Sequence, residues 1–304
     1  MWKLREACAL VTERATSVRI EHEAIGAYAA GLPLGLAPAV EADADRIALA
    51  GREQLAAHWL TLDAINFGSG WFPTLRKAGG RSGYRTIAAG LRRRSEAAGP
   101  WSAGELERID STTLAPVLGQ DSEHPLLSLF TASLRDLGAH VRRDHGGSFA
   151  AAADAGEGSA VALALALGTW ECFADLARYQ ELEVPFLKRA QIAAADLARA
   201  GVAEFIDLGA LTMFADNLVA HVLRLDGILR FDPALVDRID RGELIEHGSP
   251  EEVEIRACAV HAVELVVAAR GHTCAAEVDQ LLWARGQEPR YKAVPRHRTR
   301  CTAY

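Results

Sequence analysis

The chain has 304 residues, half of them apolar, enough to bury a sizeable core as one large domain or two fused ones and too apolar for disorder. A formal net charge of -7 speaks against a surface built to lie along a nucleic-acid backbone, since such domains are basic overall, so any nucleic-acid ligand should be small. The five cysteines, Cys8, Cys172, Cys258, Cys274 and Cys301, stand far apart without a C-x-x-C pair, so neither a disulfide framework nor a zinc knuckle is suggested and reduced, core-type thiols are expected.

The opening residues Met1-Trp2-Lys3-Leu4-Arg5-Glu6 carry charges and lead into no apolar run, so no secretory signal is expected and the cytoplasm is the expected compartment. Alanine and leucine dominate and β-branched runs of period two are rare, which predicts a mainly α, compact helical fold, either a single body or one with two helical lobes. A first helix is predicted over residues 4–30, a Gly/Pro loop over 31–38 and a second helix over 41–64. Between 66 and 99, glycines crowd with aromatics and with Arg76, Lys77, Arg81, Arg85 and Arg92-Arg93-Arg94; this reads as an irregular, functional loop, its charges either solvated surface or a local basic site. Ser102 and Glu105 form a capping box. Leu126, Leu127, Phe130, Leu134 and Leu137 recur at helical spacing as one buried face. The most apolar stretch, 160–170, is about half the roughly 20 residues of a membrane span and reads as a core helix. Asp232-Pro233 starts a short helix, and Ser249-Pro250-Glu251-Glu252 starts a long one that should run to about residue 269.

Common catalytic signatures are missing. Neither G-x-G-x-x-G nor G-x-x-x-x-G-K-[ST] occurs, which removes the usual dinucleotide and ATP sites. There is no H-E-x-x-H, and the ten histidines have no metal-ligand spacing, although His140 and His145 lie close. No metal and no cofactor are expected. Without G-x-S-x-G, a serine hydrolase has no support.

Four unusual blocks remain. They are Leu62-Asp63-Ala64-Ile65-Asn66-Phe67 followed by Gly68-Ser69-Gly70-Trp71-Phe72-Pro73; Val184-Pro185-Phe186-Leu187-Lys188-Arg189-Ala190-Gln191-Ile192; Leu211-Thr212-Met213-Phe214-Ala215-Asp216, continuing through Leu229-Arg230-Phe231; and Glu251-Glu252-Val253-Glu254-Ile255-Arg256-Ala257, with His297-Arg298-Thr299-Arg300 near the end. In order and spacing they resemble the queuosine salvage family, queuosine 5'-phosphate N-glycosidases that release queuine, over roughly residues 55–304. The resemblance implies one queuosine-salvage domain over 1–304 with a fold like that of helix-hairpin-helix DNA glycosylases, Leu225-Asp226-Gly227-Ile228-Leu229 being the candidate hairpin. It also implies a small nucleotide as partner, with neither a nucleic-acid polymer nor a membrane. The sequence departs from the family pattern where Asn217 and Leu218 follow Asp216 in place of an aromatic and an arginine, and where Leu187 replaces a common tyrosine.

Breaking an N-glycosidic bond builds positive charge on the ribose as the base leaves, so the site needs a carboxylate near the anomeric carbon. Asp216 is the candidate, able both to stabilise that charge and to orient water; the plain alternative is a helix cap. Lys188, in an apolar stretch, needs an anion such as a phosphate or Asp216, and a Schiff-base role is the sharper alternative. Asp63 could bind the amidine edge of the base, with Phe67 or Trp71 stacked on its face, and Phe214 belongs to the block of Asp216. Glu254 and His261, seven apart on one helix, could line the pocket or form a buried pair. His297, Arg298 and Arg300 could hold the 5'-phosphate or pin the C-terminal segment by surface pairing. Two rivals stay open: a DNA or tRNA glycosylase, and a helical nucleoside-binding protein without turnover.

Overall fold

A computed structural model describes residues 1–34, 47–77, 79 and 81–304. Among them the chain forms fifteen α-helices and two small two-stranded sheets, so the protein is mainly α. Helices α1 (Trp2–Arg14) and α2 (His22–Gly31) flank strand β1 (Val18–Ile20), which divides the single helix predicted over 4–30. The break is made from afar: the backbone N–H groups of Thr16, Ser17 and Val18 donate to the Glu254 carboxylate at 3.1, 2.6 and 3.1 Å, and no local pattern could announce that partner. The first residues of the helix predicted over 41–64, and residues 35–38 of the predicted loop, lie outside the described residues; helix α3 runs Arg52–Ala64.

The irregular stretch predicted over 66–99 is shorter than expected. A 3-10 turn covers Ser69–Thr74, and helix α4 occupies Gly83–Ala98, started by Ser82, whose side chain accepts from the Arg85 N–H. The overlooked signal was this cap, followed by Thr86, Ile87, Gly90 and Leu91, all buried on one face. Helices α5 (Ala103–Leu106), with the predicted capping box in place, and α6 (Ser111–Leu118) follow. In α7 (Pro125–Asp144) the predicted apolar face is fully buried. Then come α8 (Phe149–Ala153), α9 (Ala160–Leu167), strands β2 (Leu176–Tyr179) and β3 (Leu182–Pro185), α10 (Lys188–Arg199), α11 (Asn217–Leu225), β4 (Leu229–Phe231), α12 (Pro233–Asp240), α13 (Pro250–Arg270), α14 (Ala275–Arg285) and α15 (Pro289–Lys292). Among the described residues no single helix is long and apolar enough to cross a membrane.

Both proline starts behave as predicted. Asp232 caps α12 through the Ala234 N–H, and Ser249 caps α13 through the Glu252 N–H. Glu252 does not close the box onto Ser249 but accepts from the Gly248 N–H at 3.1 Å. The segment 225–229 turns the chain from α11 into β4, with Gly227 at φ 77°; β4 then pairs antiparallel with β1, Val18 opposite Phe231.

The described residues of Met1–Asp43, Asp175–Lys188 and Gly209–Arg300 form one compact unit, and those of Ala44–Ala174, Arg189–Leu208 and Cys301–Tyr304 a second. In the first, α13 runs through the middle of a core shared by α1, α2, α11, α14 and both sheets. In the second, α3 packs on α4, α7 and α8, and α6 and α5 pack on α7. Gly68 is required there twice over: its φ is 92°, and a Cβ would lie 2.5 Å from Leu126 Cδ1.

Candidate active site

Asp216 stands at the N-terminus of α11 as its cap. Its Oδ1 accepts from the N–H groups of Leu218 at 2.8 Å and Val219 at 2.9 Å, satisfying two donors that the first helical turn leaves over. One oxygen thus fixes the orientation of the carboxylate, and Oδ2 accepts no hydrogen bond among the described residues. The cap reading and the catalytic reading of this aspartate are compatible, because a cap is a rigid mount. Five buried residues, Leu211 to Ala215, lead into it, ending in a tight turn in which the Asp216 N–H donates to the Phe214 carbonyl at 2.6 Å.

A second carboxyl group, Asp279 of α14, belongs to this place and was missed. Its Oδ1 accepts from the Phe214 N–H at 2.9 Å. Burial, and then the negative charge of Asp216, push its pKa well above the usual carboxylate range, while the Phe214 N–H and the Lys188 ammonium pull it back less. Its neutral form is thereby favoured, and in that form Asp279 can donate a hydrogen bond. A signal was present: Ala275, Val278, Asp279 and Leu282 form the buried face of α14, and an aspartate on an apolar face is costly unless it serves something. Arg296 also feels Asp216: burial lowers its pKa and the aspartate's charge offsets part of that.

Lys188 is the first residue of α10 and is almost fully buried. Its N–H donates to Asp175 Oδ2 at 3.0 Å. The residue before it, Leu187, sits at φ 52°, a left-handed conformation that a leucine adopts only when its surroundings impose it. Those surroundings are ionic. Arg256 of α13, with no exposed surface, donates to Asp175 Oδ2 at 2.6 Å and to the Ala215 carbonyl at 3.0 Å, and its guanidinium lies 3.9 Å from the Phe186 ring centre. One arginine therefore holds both the segment that ends in Lys188 and the residue next to Asp216. Arg256 belongs to a block singled out in the sequence, but its partners are 41 and 81 residues away, so its bracing role could not be read there.

The remaining predicted residues separate. Glu254 is committed to the fold: besides the three N–H groups of the α1–β1 turn it accepts from the Tyr179 hydroxyl at 2.8 Å, and none of these donors is available to a ligand. His261 is half-buried, its pKa lowered by burial and then by His22, and no contact among the described residues ties it to Asp216. His297 is buried and its pKa is pushed down to about 3, chiefly by burial, so it is neutral at pH 7 and brings no charge to a phosphate. Arg298 donates to the Gly242 carbonyl at 2.6 Å, and its own carbonyl accepts from the Ile245 N–H, pinning the C-terminal segment; Arg300 is exposed.

In the second unit, Asp63 is fully buried near the end of α3, and Trp71 lies in the 3-10 turn that follows. Phe67 packs edge-on against Phe130, ring centres 5.0 Å apart, with the Arg189 guanidinium 5.0 Å from its ring centre. These contacts make Phe67 a core residue of that unit.

Fold and centre define a mainly helical protein that mounts two carboxyl groups and a buried lysine on the starts and inner faces of its helices, the furniture of acid–base chemistry. The chain belongs to the family described as queuosine salvage protein, whose model matches residues 48–304. It is 39% identical to the queuosine 5'-phosphate N-glycosylase/hydrolase of Sphaerobacter thermophilus, over 97% of this chain and 95% of that protein. Proteins of the same name from Mus musculus, 27% identical over 99% of this chain and 98% of theirs, and from Dictyostelium discoideum, 32% identical over 81% and 77%, are also similar.

Proposed function

We propose that this protein hydrolyses the N-glycosidic bond of queuosine 5'-phosphate, releasing queuine and ribose 5-phosphate for queuine salvage. The observation that carries the reading beyond family membership is that two carboxyl groups meet at Phe214: Asp216, which caps α11 and donates its N–H to the Phe214 carbonyl, and Asp279, which accepts from the Phe214 N–H and whose neutral form burial favours. Environments that push two carboxyl groups apart are how one site supplies both roles of acid–base chemistry. In this reading the C1'–N bond breaks with its electron pair going to the base, Asp216 faces the positive charge that develops on the ribose, and water adds to C1'. Asp279 donates a hydrogen bond, or its proton, to the departing base. The proton that water loses restores the balance. A 7-deazaguanine base lacks a ring nitrogen that purine nucleosidases protonate, so an acid aimed at another base position is the help it needs.

Lys188 is read as an electrostatic partner of the pair and of the substrate's anion rather than as a Schiff-base nucleophile, since hydrolysis needs no imine. Phe214 is read as a wall of the base site, Arg296 joins Arg300 as a candidate phosphate donor, and Asp63 and Trp71 are kept as substrate contacts. Glu254, Phe67, His261, His297 and Arg298 drop out of the reading for the reasons of packing, charge and contact given above. The family match includes residues of both compact units, which supports one queuosine-salvage domain. The helical architecture is compatible with a relation to helix-hairpin-helix glycosylases, with 225–229 as the turn to compare. A small nucleotide partner and a cytoplasmic setting complete the reading.

The test is mass-spectrometric detection of free base from queuosine 5'-phosphate, queuosine and guanosine 5'-phosphate with the parent protein and with Asp216→Asn and Asp279→Asn. Queuine from the nucleotide with the parent, and its loss in both variants, is the expected result. Tight binding with no release by the parent would replace hydrolysis with a binding role.

A further inference from the structure

The function above leaves one singled-out feature unused, the arginine-rich stretch of the second unit. Four of its cations, Arg76, Lys77, Arg81 and Arg93, line a single cavity of about 200 Å³ together with Thr86, Leu118 and Gly119. The cavity is built by backbone packing. Along α4, Thr86, Gly90 and Arg93 fall on one face at helical spacing, and Gly90 lets α6 come so close that a Cβ there would lie 2.5 Å from the Val117 carbonyl oxygen. The segment carrying Arg76 is clamped by the buried amide of Gln120, which accepts from the Arg76 N–H at 2.9 Å and donates to the Arg76 carbonyl at 2.8 Å and to the Leu118 carbonyl at 3.1 Å. One buried side chain thereby ties two of the lining residues, Arg76 and Leu118, through their backbones.

Charge then decides the ligand. Of the four cationic side chains, Arg76 pairs with a carboxylate, Asp121, at 3.4 Å in an exposed pair; Lys77, Arg81 and Arg93 make no ion pair among the described residues. The C-terminus of α6 contributes about half a negative charge. The surplus is about two and a half positive charges in a concave, partly closed space, on a chain whose net charge is -7. A focused positive potential on an acidic protein recruits an anion, and arginine forks match phosphate oxygens.

We propose that this cavity is a binding site for a compact, multiply charged phosphate ligand, one bearing two or three consecutive phosphates such as a nucleoside di- or triphosphate. A single oxyanion would leave cations unmatched, and a polynucleotide spreads its charges along a strand far longer than a cavity of about 200 Å³. The site stands on residues other than those of the hydrolytic reading, and either can fail without the other.

The experiment is calorimetric titration of the full chain with inorganic tripolyphosphate at low salt, with parent, Arg81→Ala/Arg93→Ala, and the control pair Arg178→Ala/Arg230→Ala, which removes equal charge from exposed positions elsewhere. A one-to-one complex weakened at least tenfold by the cavity pair and little changed by the control pair is expected, with turnover of queuosine 5'-phosphate unchanged in the cavity variant. Equal weakening by both pairs, or no binding, would overturn the site. A cavity variant with raised KM for queuosine 5'-phosphate but not for queuosine would make it the substrate's own phosphate pocket and overturn a separate site. Binding of a single-stranded oligonucleotide in place of tripolyphosphate would overturn the ligand class.

Discussion

Two dense clusters of charge in this protein are held in opposite ways. Around α13, Arg256, Asp175 and Glu252 are buried, with Arg256 contacting Asp175 and, at 3.7 Å, Glu252. Around α4, Arg76, Lys77, Arg81 and Arg93 are exposed, with Gln120 clamping the backbone at Arg76. The first arrangement survives only because each charge has its partner, since an uncompensated buried ion costs several kcal/mol. The second is screened by salt over about 8 Å and contributes little to folding. The lesson is that the interior charge around α13 serves geometry, whereas the four cations around α4 stand at the surface.

The sharpest way to break this contrast is at the interior centre. Asp216→Asn keeps a capping oxygen for α11 while removing the negative charge, and turnover should fall by about 10²–10⁴-fold with little change in melting temperature; retained turnover would remove Asp216 from the chemistry. Next in size, Arg256→Met leaves Asp175 buried without its partner and should cost about 3–5 kcal/mol in urea unfolding. The double variant Arg256→Met/Asp175→Leu should cost clearly less than the sum of the singles, and strict additivity would deny their coupling.

The interior also sets pH dependence. His221 and His297 have pKa values pushed down to about 4 and about 3, chiefly by burial, so the unfolded chain binds protons near pH 6.5 that the folded one refuses. Stability should be fully present above pH 6.5 and decline as pH falls toward 4, with a slope approaching about 1.4 kcal/mol per pH unit for each histidine; His221→Gln should flatten it. Asp279 works in the opposite sense. Its raised pKa means that stability falls as pH rises from the unfolded value near 3.9. Asp279→Asn should therefore raise the neutral-pH melting temperature by a few degrees while turnover drops, a trade between stability and activity. Smallest of all, Arg81→Ala/Arg93→Ala should change unfolding free energy by no more than about 0.5 kcal/mol, and a larger loss would mean that the surface cluster also holds the fold.

Much of this was legible before any coordinates. The caps Ser102, Asp232 and Ser249, the buried face of α7 and the α9 core segment announce themselves through residues within one or two turns of each other. The division of 4–30 into α1, β1 and α2 was not legible, because its cause is a carboxylate about 237 residues away. At the site, Asp216 and Lys188 stood out through the wording of their blocks, while Asp279 was overlooked despite its odd place on an apolar helix face. Glu254 and His261 were grouped because they share a helix face, but the face they share is turned toward different neighbours.

The sequence by itself determined the helical class, most helix starts and the family to which the chain belongs, since these depend on local hydrogen-bond donors, on the period of apolar residues and on residue order. Only the tertiary structure decided which charges meet: that Arg256 braces both Asp175 and the residue before Asp216, and that Asp279 lies where burial, and then the charge of Asp216, raise its pKa. Electrostatic energy depends on distance and burial in space, and neither is written along the chain.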